Sequence, residues 1–352
     1  MRGLEPVTHF LFGACLSRAG LNRKTGLATL TLTIAAEAAD IDVVTYFAGS
    51  ISGFQHHRGI THTFVGAPFV AAFTLAGVYA IYRIMRIRGS KPMLPPDWKI
   101  LYIYALIGAL SHILLDFTNS YGVRPFEPVK YKWYSWDILF IVDPFVLALL
   151  AFALVAPAFL SLVSDEIGAR RSQFRGRGAA IFALCGVVAL VGLRDFEHRR
   201  AVNALEALNF HDEPPLRVSA YATMWNPFSW NGVVETQDFL EAVTVDSRRG
   251  EVDPENNALY RHKPEETPVT LAAKKSQLGR VYLDWAQYPY VEAERLPENQ
   301  GFKVRFEDWR FINSSIGGGR SSPLAGYVEL APDLSVVDEY IGARDDAKPK
   351  RR

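Results

Sequence analysis

The sequence predicts a mainly α-helical membrane domain, a helix bundle of about six membrane segments, followed by a small antiparallel β-rich soluble domain. Two observations predict it. Residues 5–195 contain repeated apolar stretches of membrane length, whereas residues 200–352 carry charges every few positions and no comparable run. In that second half, "NGVVETQDFLEAVTVD", "GRVYLDWAQYPYVEAERL", "FKVRFEDWRFI" and "AGYVELAPDLSVVDEYI" are rich in β-branched and aromatic residues with turn residues between them, the pattern of five or more strands. The expected boundaries are 1–198 for the membrane domain, 199–345 for the soluble domain and 346–352 for a disordered tail.

In chain order, the first two apolar segments, 5–19 and 25–39, are short. At about 1.5 Å per residue each reaches roughly 22 Å, which suits a tight helical hairpin of thin crossings or a re-entrant pair. The apolar start follows Arg2 as a signal peptide would, but it contains His9 and lacks a small-x-small cleavage site, so it reads as a retained segment. Longer segments follow at 63–83, 100–118, 138–162 and 179–194. The stretch "LRDFEHRRAVNALEALNF" is amphipathic and is expected to leave the membrane as a helix.

Orientation follows from the loops, because short cytoplasmic loops collect Lys and Arg. Arg18, Arg23 and Lys24 fill one loop; Arg83, Arg86, Arg88, Lys91 and Lys99 another; Arg170, Arg171, Arg175 and Arg177 a third. The intervening loops are poorer, although 119–137 keeps Arg124, Lys130 and Lys132. The pattern favours both termini, and with them the soluble domain, on the outer side of the membrane.

A net charge of +1 without a concentrated basic patch argues against nucleic acid as a partner. The two cysteines, Cys15 and Cys185, lie in apolar segments, so they read as small core residues and exclude a disulfide framework.

The membrane half also carries ionisable residues in or beside its apolar segments: His9, Glu37, Asp40, Asp42, His56, His57, Arg58, His62, His112, Asp116, Asp137 and Asp143. A charge near the bilayer centre costs about 2.5–3.5 kcal/mol on insertion scales, so such groups face a partner or a cavity. In "SHILLDF", His112 and Asp116 stand at i and i+4 on one helix face, a spacing suited to sharing a metal ion. In "ADID", Asp40 and Asp42 share a side if the chain is extended and diverge by about 200° if it is helical. The hairpin returns the chain so that His9 and Asp40 lie at one depth. Each piece has an ordinary explanation by itself: a buried interfacial histidine, an interfacial "HHRG" loop, a His112–Asp116 pair joining helices. Together they favour a metal site. Imidazoles with carboxylates suit zinc, manganese or iron better than calcium. Such an ion lowers the pKa of bound water from about 15.7 to about 7, which points to hydrolysis.

"EPVTHFLFG", "ADIDVV", "HHRGITHTF" and "SHILLDFTNSYGVRPFEP" resemble, in order and spacing, the four motifs of the bacterial inner-membrane family of membrane-bound metal-dependent hydrolases, the YdjM-like proteins. The resemblance covers about the first 160 residues, and "WNPFSWNGVVETQDF" and "YPYVEAERL" resemble the soluble extension of long members. Ala39 stands where members often have proline. The resemblance implies metal-binding roles for His9, Asp40, His62, His112 and Asp116, with Asp42 and His57 as participants. More distantly, the order His, Asp, His, His-x3-Asp is similar to zinc-dependent phospholipase C and the P1-type nucleases. Their further His and His-x3-Glu have no counterpart here, so one or two divalent ions, zinc foremost, are expected, with Asp143 as a possible extra ligand.

On this reading Asp40, His62, His112 and Asp116 hold the first ion and His9 with Asp116 a second. Asp42 or Glu37 orients or deprotonates the attacking water. Arg58 donates two parallel hydrogen bonds to a phosphate. The expected partners are membrane lipids and an amphipathic or lipid-linked phosphoester. The alternatives are a metal- or proton-coupled transporter, for which six segments are few and no repeat is evident, and a noncatalytic metal sensor. Trp225, Pro227, Phe228 and Trp230 in "MWNPFSW" are expected to fill a β-domain core in preference to touching lipid. "SIGGGRSS" lacks the strand-to-helix context of a phosphate loop.

Overall fold

The computed structural model describes residues 6–166, 176–253, 258–312, 322 and 324–342, with the side chains of 158 and 160–166 excepted. The expected tail, most of "SIGGGRSS" and most of the basic loop 168–177 lie outside the described residues. The chain forms two compact units, one of residues 1–43 and 57–196, the other of 44–56 and 197–352.

In the first unit, α1 (Pro6–Arg18) and α2 (Ala28–Glu37) form the expected hairpin. They approach closely because Gly13 has no side chain: a Cβ there would lie 2.7 Å from the Leu32 carbonyl oxygen and 3.0 Å from Ala36 Cβ. α5 (Trp98–Phe117) crosses α2 in the same way, with Gly108 against Ala35 at 2.7 Å. Asp97 sets the start of α5 by accepting from the Lys99 and Ile100 amides. α4 (Ala67–Ile87) packs on α5 through Ala67, Val70, Ala109 and Ile113. α6 (Pro144–Glu166) and the first part of α7 (Arg177–Glu206) close around α1 through Cys15, Val146, Leu150, Ala183 and Val187. Cys15 is thus a core residue as read from the sequence, whereas Cys185 is exposed on α7, so the core reading is corrected for that cysteine.

Among the described residues three helices are long and apolar enough to cross a membrane, α4, α5 and α7, with a shorter apolar helix at Pro144–Pro157. The expectation of six is therefore corrected. α1 has 13 residues and α2 has 10. At 1.5 Å per residue they reach about 20 Å and 15 Å, short of a hydrocarbon core of about 30 Å. The spanning helices display large apolar side chains outward, among them Phe69 (73% exposed) and Phe73 on α4 and Phe182 and Val188 on α7, which hydrocarbon solvates and water would not.

After α2 the chain tightens into an unusually long 3₁₀ segment, Ala38–Ala48, carrying Asp40 and Asp42. A short 3₁₀ turn at Ile60–His62 then precedes α4.

The second unit contains two antiparallel sheets. The first has the order β1 (Arg217–Ala222), β2 (Ser229–Glu235), β3 (Phe239–Asp246), β4 (Glu251–Asp253), with β5 (Leu259–His262) also paired to β3. The second is β6 (Pro289–Arg295), β7 (Phe302–Asp308), β8 (Gly326–Leu330) and β9 (Val336–Ile341) in sequence order. Helices α8 (Pro268–Lys274) and α9 (Gln277–Trp285) lie between them in the chain. β3 is buried on both sides, which its apolar run allows. One side packs with Tyr221, Tyr288, Tyr290 and Trp309; the other is covered by Ala201 and Leu205 at the end of α7. Trp230 is fully buried in that second cluster, as expected for a core aromatic, but Trp225 is 72% exposed, so the core reading is corrected for that ring.

The segment 44–56, which the sequence places inside the membrane half, belongs to this second unit. Phe54 of α3 (Ser50–His56) is buried, with ring centroids 5.9 Å from Tyr282 and 5.0 Å from Trp285.

Candidate metal centre

Four ligand-type side chains converge inside the first unit: Asp40, His62, His112 and Asp116, whose donor atoms all lie within 4.8 Å of one another. His62 Nε2 and His112 Nε2 are 3.0 Å apart. Asp40 Oδ1 is 3.4 Å from both nitrogens. Asp116 Oδ2 is likewise 3.4 Å from both. Tetrahedral ligands around an ion with bonds of about 2.0–2.1 Å stand roughly 3.3–3.4 Å from each other, so these spacings match the edges of such a tetrahedron.

The chemistry of the donors agrees with the geometry. His112 Nδ1 is 2.6 Å from the Ala36 carbonyl, which can only accept, so this nitrogen carries the proton and Nε2 presents a lone pair. His62 Nδ1 faces Asp42 Oδ2 at 3.3 Å and Thr61 Oγ1 at 3.1 Å, again leaving Nε2 bare. Two nitrogen lone pairs and two carboxylate oxygens, with Asp116 Oδ2 buried and without a hydrogen-bond partner, repel one another unless a cation lies among them. The residues present fit a divalent ion.

The local sequence places each group. His112 and Asp116 project one turn apart from α5, where Gly108 lets α2 come close enough for Ala36 to meet His112. With about three residues per turn, the 3₁₀ segment sends Asp40 and Asp42 in different directions. Asp40 meets the Nε2 edge of the His62 ring and Asp42 its Nδ1 edge. The divergent alternative for the Asp-x-Asp pair is the one realised.

The other predicted residues surround this group. Asp42 is buried, accepts from the Arg58 amide at 2.6 Å and lies 3.4 Å from His57 Nδ1, so it orients His62 and its neighbours. His57 meets Asp42 and is not one of the four convergent ligands. His9 stacks on His112 with ring centroids 3.8 Å apart, and its Nε2 is 3.4 Å from Asp116 Oδ1; its Nδ1 is buried without a hydrogen-bond partner. Glu37 lies within electrostatic range of Asp40, His112 and Asp116 and keeps Oε1 buried without a hydrogen-bond partner.

Two expectations are corrected. Arg58 is 3% exposed and committed to the protein: Nη2 donates to Asp116 Oδ1 at 2.8 Å, while Nη1 donates to Asn119 Oδ1 and the Gly122 carbonyl. Its left-handed backbone, φ 53°, turns it inward, so it steadies a ligand and does not face a substrate phosphate. Asp143 accepts from the Phe145 and Val146 amides at the start of α6 and pairs with Arg194 at 3.3 Å, which removes it from the ligand set. Its side chain nonetheless lines a cavity of about 30 Å³ with Thr8, His9, Asp116 and Asn119, room for a water molecule.

Asn119 and Tyr121 were missed by sequence reasoning. Asn119 accepts from both Arg58 and the Tyr121 amide, and the Tyr121 ring lies 4.9 Å from the Arg58 guanidinium carbon. The signal available was their place in "FTNSYG", one turn beyond Asp116.

A helical membrane unit enclosing two histidines and two aspartates defines an integral membrane protein with a site that can hold a metal ion. Residues 4–201, more than half of the chain, match the YdjM inner membrane protein family, and the protein belongs to that family. It is also similar to the uncharacterized protein YfhP of Bacillus subtilis (strain 168), at 22% identity over 320 residues, covering 90% of this chain and 85% of the relative. No solved structure matches.

Proposed function

We propose that the protein is a multi-pass, membrane-bound, metal-dependent hydrolase acting on an amphipathic or lipid-linked phosphoester, with its C-terminal unit on the outer side of the membrane. The observation that carries this reading is the set of 3.0–3.4 Å separations among the donors of Asp40, His62, His112 and Asp116. Zinc suits these donors best, with manganese or iron next, and His9 beside Asp116 allows a second ion. A divalent ion would supply Lewis acidity, polarising a phosphoryl oxygen and making water nucleophilic near neutral pH.

The protein's own groups then have distinct tasks. Glu37, with a buried oxygen lacking a hydrogen-bond partner, takes the proton of the attacking water. Asp42 fixes the ring of His62, and Arg58 fixes the carboxylate of Asp116. Asp40 has 28% of its side chain exposed, the most of the four ligands, so substrate reaches the centre from its side. The neighbours Ile41, Val43 and Ile60 are all more than 40% exposed, an apolar rim that suits an acyl chain beside a polar headgroup.

The test is purified protein, demetallated and reconstituted, assayed on generic phosphoesters and phospholipids. Metal-dependent turnover abolished in Asp40→Asn and His112→Ala is the expected result. Metal uptake into proteoliposomes without turnover would replace the hydrolase with a transporter.

A further inference from the structure

We propose that the loop joining α5 to α6 carries an anionic-lipid contact, in which Phe126, Val129 and Tyr131 enter the bilayer interface while Lys130 and Lys132 hold headgroup phosphates. The contact lies wholly within the first unit and is independent of the hydrolase reading.

The loop is fixed to one end of two spanning helices. α4 begins at Ala67 and α5 ends at Phe117, and they meet at that end through Ala67, Val70, Ala109 and Ile113. The Phe64 amide donates to the Pro125 carbonyl at 2.9 Å, and the Phe64 and Phe126 ring centroids are 5.5 Å apart. Phe64 precedes α4 by three residues, which reach at most about 10 Å, so this contact stays at or beside the headgroup layer. On the return side, the Trp136 amide donates to the Phe117 carbonyl at 2.7 Å and the Ile138 amide to the Thr118 carbonyl at 3.0 Å. Between these anchors Val123 and Tyr134 exchange two backbone hydrogen bonds of 2.8 Å, and the Val129 amide donates to the Phe126 carbonyl at 2.9 Å. The loop is therefore held in one shape by its own backbone.

Its side chains are sorted between inside and outside. Arg124 is buried, pairs with Glu127 at 3.3 Å and lies over the Trp133 ring, so that charge is internal. Apolar groups remain outside: Val129 is 88% exposed and Tyr131 63%, with Phe126 at 46% and Phe64 at 50%. Lys130 and Lys132 are exposed, and among the described residues neither has a carboxylate within 4.0 Å. Their ammonium groups lie over the Tyr134 ring, 5.9 and 5.5 Å from its centroid. An aromatic patch edged by lysines suits the bilayer interface, where rings sit at headgroup depth and lysine stems reach along them to phosphate. Each lysine favours anionic over zwitterionic headgroups by about fivefold. Of the three cations that set 119–137 apart from the other poorer loops, Arg124 is thus structural and the two lysines face lipid.

The test uses the full chain carrying Cys185→Ser and Val129→Cys, labelled at position 129 with the fluorophore NBD; Cys15 is buried and takes no label. The protein is placed in nanodiscs of phosphatidylcholine, alone or with phosphatidylglycerol, with or without nitroxide-bearing acyl chains. In the mixed lipid, quenching by the nitroxide chains and slow bleaching by aqueous dithionite are the expected results. Fast bleaching with no effect of nitroxide lipid overturns the proposal. Protection that persists in detergent and grows with protein concentration also overturns it, because a second copy of the chain then covers the loop. Bleaching is expected to be faster in phosphatidylcholine alone, and Lys130→Gln together with Lys132→Gln to remove that difference. Equal rates in both lipids, or a difference that survives the lysine changes, overturns the role given to the lysines.

Discussion

His62 Nε2 stands 3.0 Å from His112 Nε2, and in both rings the other nitrogen faces an acceptor, Asp42 for one and the Ala36 carbonyl for the other. This pairing is stable only with something positive between the nitrogens, and it leads to the first prediction. Protein purified without chelator is expected to hold a transition metal, read by elemental analysis, and His112→Ala to lose it. Because the rings must be neutral to bind, affinity should fall and protons be taken up as the solution is made acidic, measured by metal competition across pH. Affinity unchanged between pH 7.5 and 5.5 would contradict the assignment of both rings.

Asp42 acts through His62, without being among the four convergent ligands. Asp42→Asn keeps its size but weakens its hold on the His62 N–H. A loss of about 10–100-fold in metal affinity is expected, as for other carboxylates behind metal-binding histidines. An Asp42→Asn variant that binds metal normally but loses turnover would instead make Asp42 the proton acceptor.

Gly108 controls how closely α5 approaches α2. A methyl group there would meet Ala35 Cβ at 2.7 Å and the Leu32 carbonyl oxygen at 3.1 Å. Gly108→Ala should therefore destabilise the membrane unit by about 1–3 kcal/mol, the cost of overpacking. It should also loosen the Ala36–His112 hydrogen bond one turn away and so reduce metal affinity. Thermal unfolding in detergent together with metal titration reads both effects.

Glu241 on β3 is fully buried, with neither carboxylate oxygen hydrogen-bonded, and His211 3.5 Å away is its ion partner. Burial holds its carboxyl above the usual range, against the opposing pull of His211. The folded state thus binds this proton more readily than the unfolded chain. The stability it contributes is present below the ordinary glutamate range near 4.3 and is lost as pH rises through the raised value. Glu241→Gln is expected to unfold at a higher temperature than wild type at pH 7 and at the same temperature near pH 4. A lower unfolding temperature at pH 7 would show that the His211 pair outweighs burial.

The pairing of His112 with Asp116 was legible because it is local, one helix face at i and i+4, and polar groups beside apolar runs need a partner wherever the chain goes; that Asp40 and His62 join them was implied by the motif resemblance, and the structure brings the four side chains together. Helix-rich and strand-rich halves were legible for the same reason, since hydrophobic period is written along the chain. The tasks of Arg58, Asp42 and Asp143 were not. A side chain's role depends on which groups compete for it, and Asp116, Asn119 and Gly122 capture the Arg58 guanidinium from 58 to 64 residues away.

By itself, then, the sequence determined that this is a membrane protein with a β-rich C-terminal half and an ensemble of ligand-type residues in the apolar part. Tertiary structure alone decided that His62 receives Asp40 on one edge and Asp42 on the other, that three described helices are long enough to span, and that Phe54 belongs to the C-terminal unit against Tyr282 and Trp285. The physical reason is common to all three. Propensity and hydrophobic pattern act over a few residues, whereas the pairing of buried rings and charges is settled by which distant surfaces pack together.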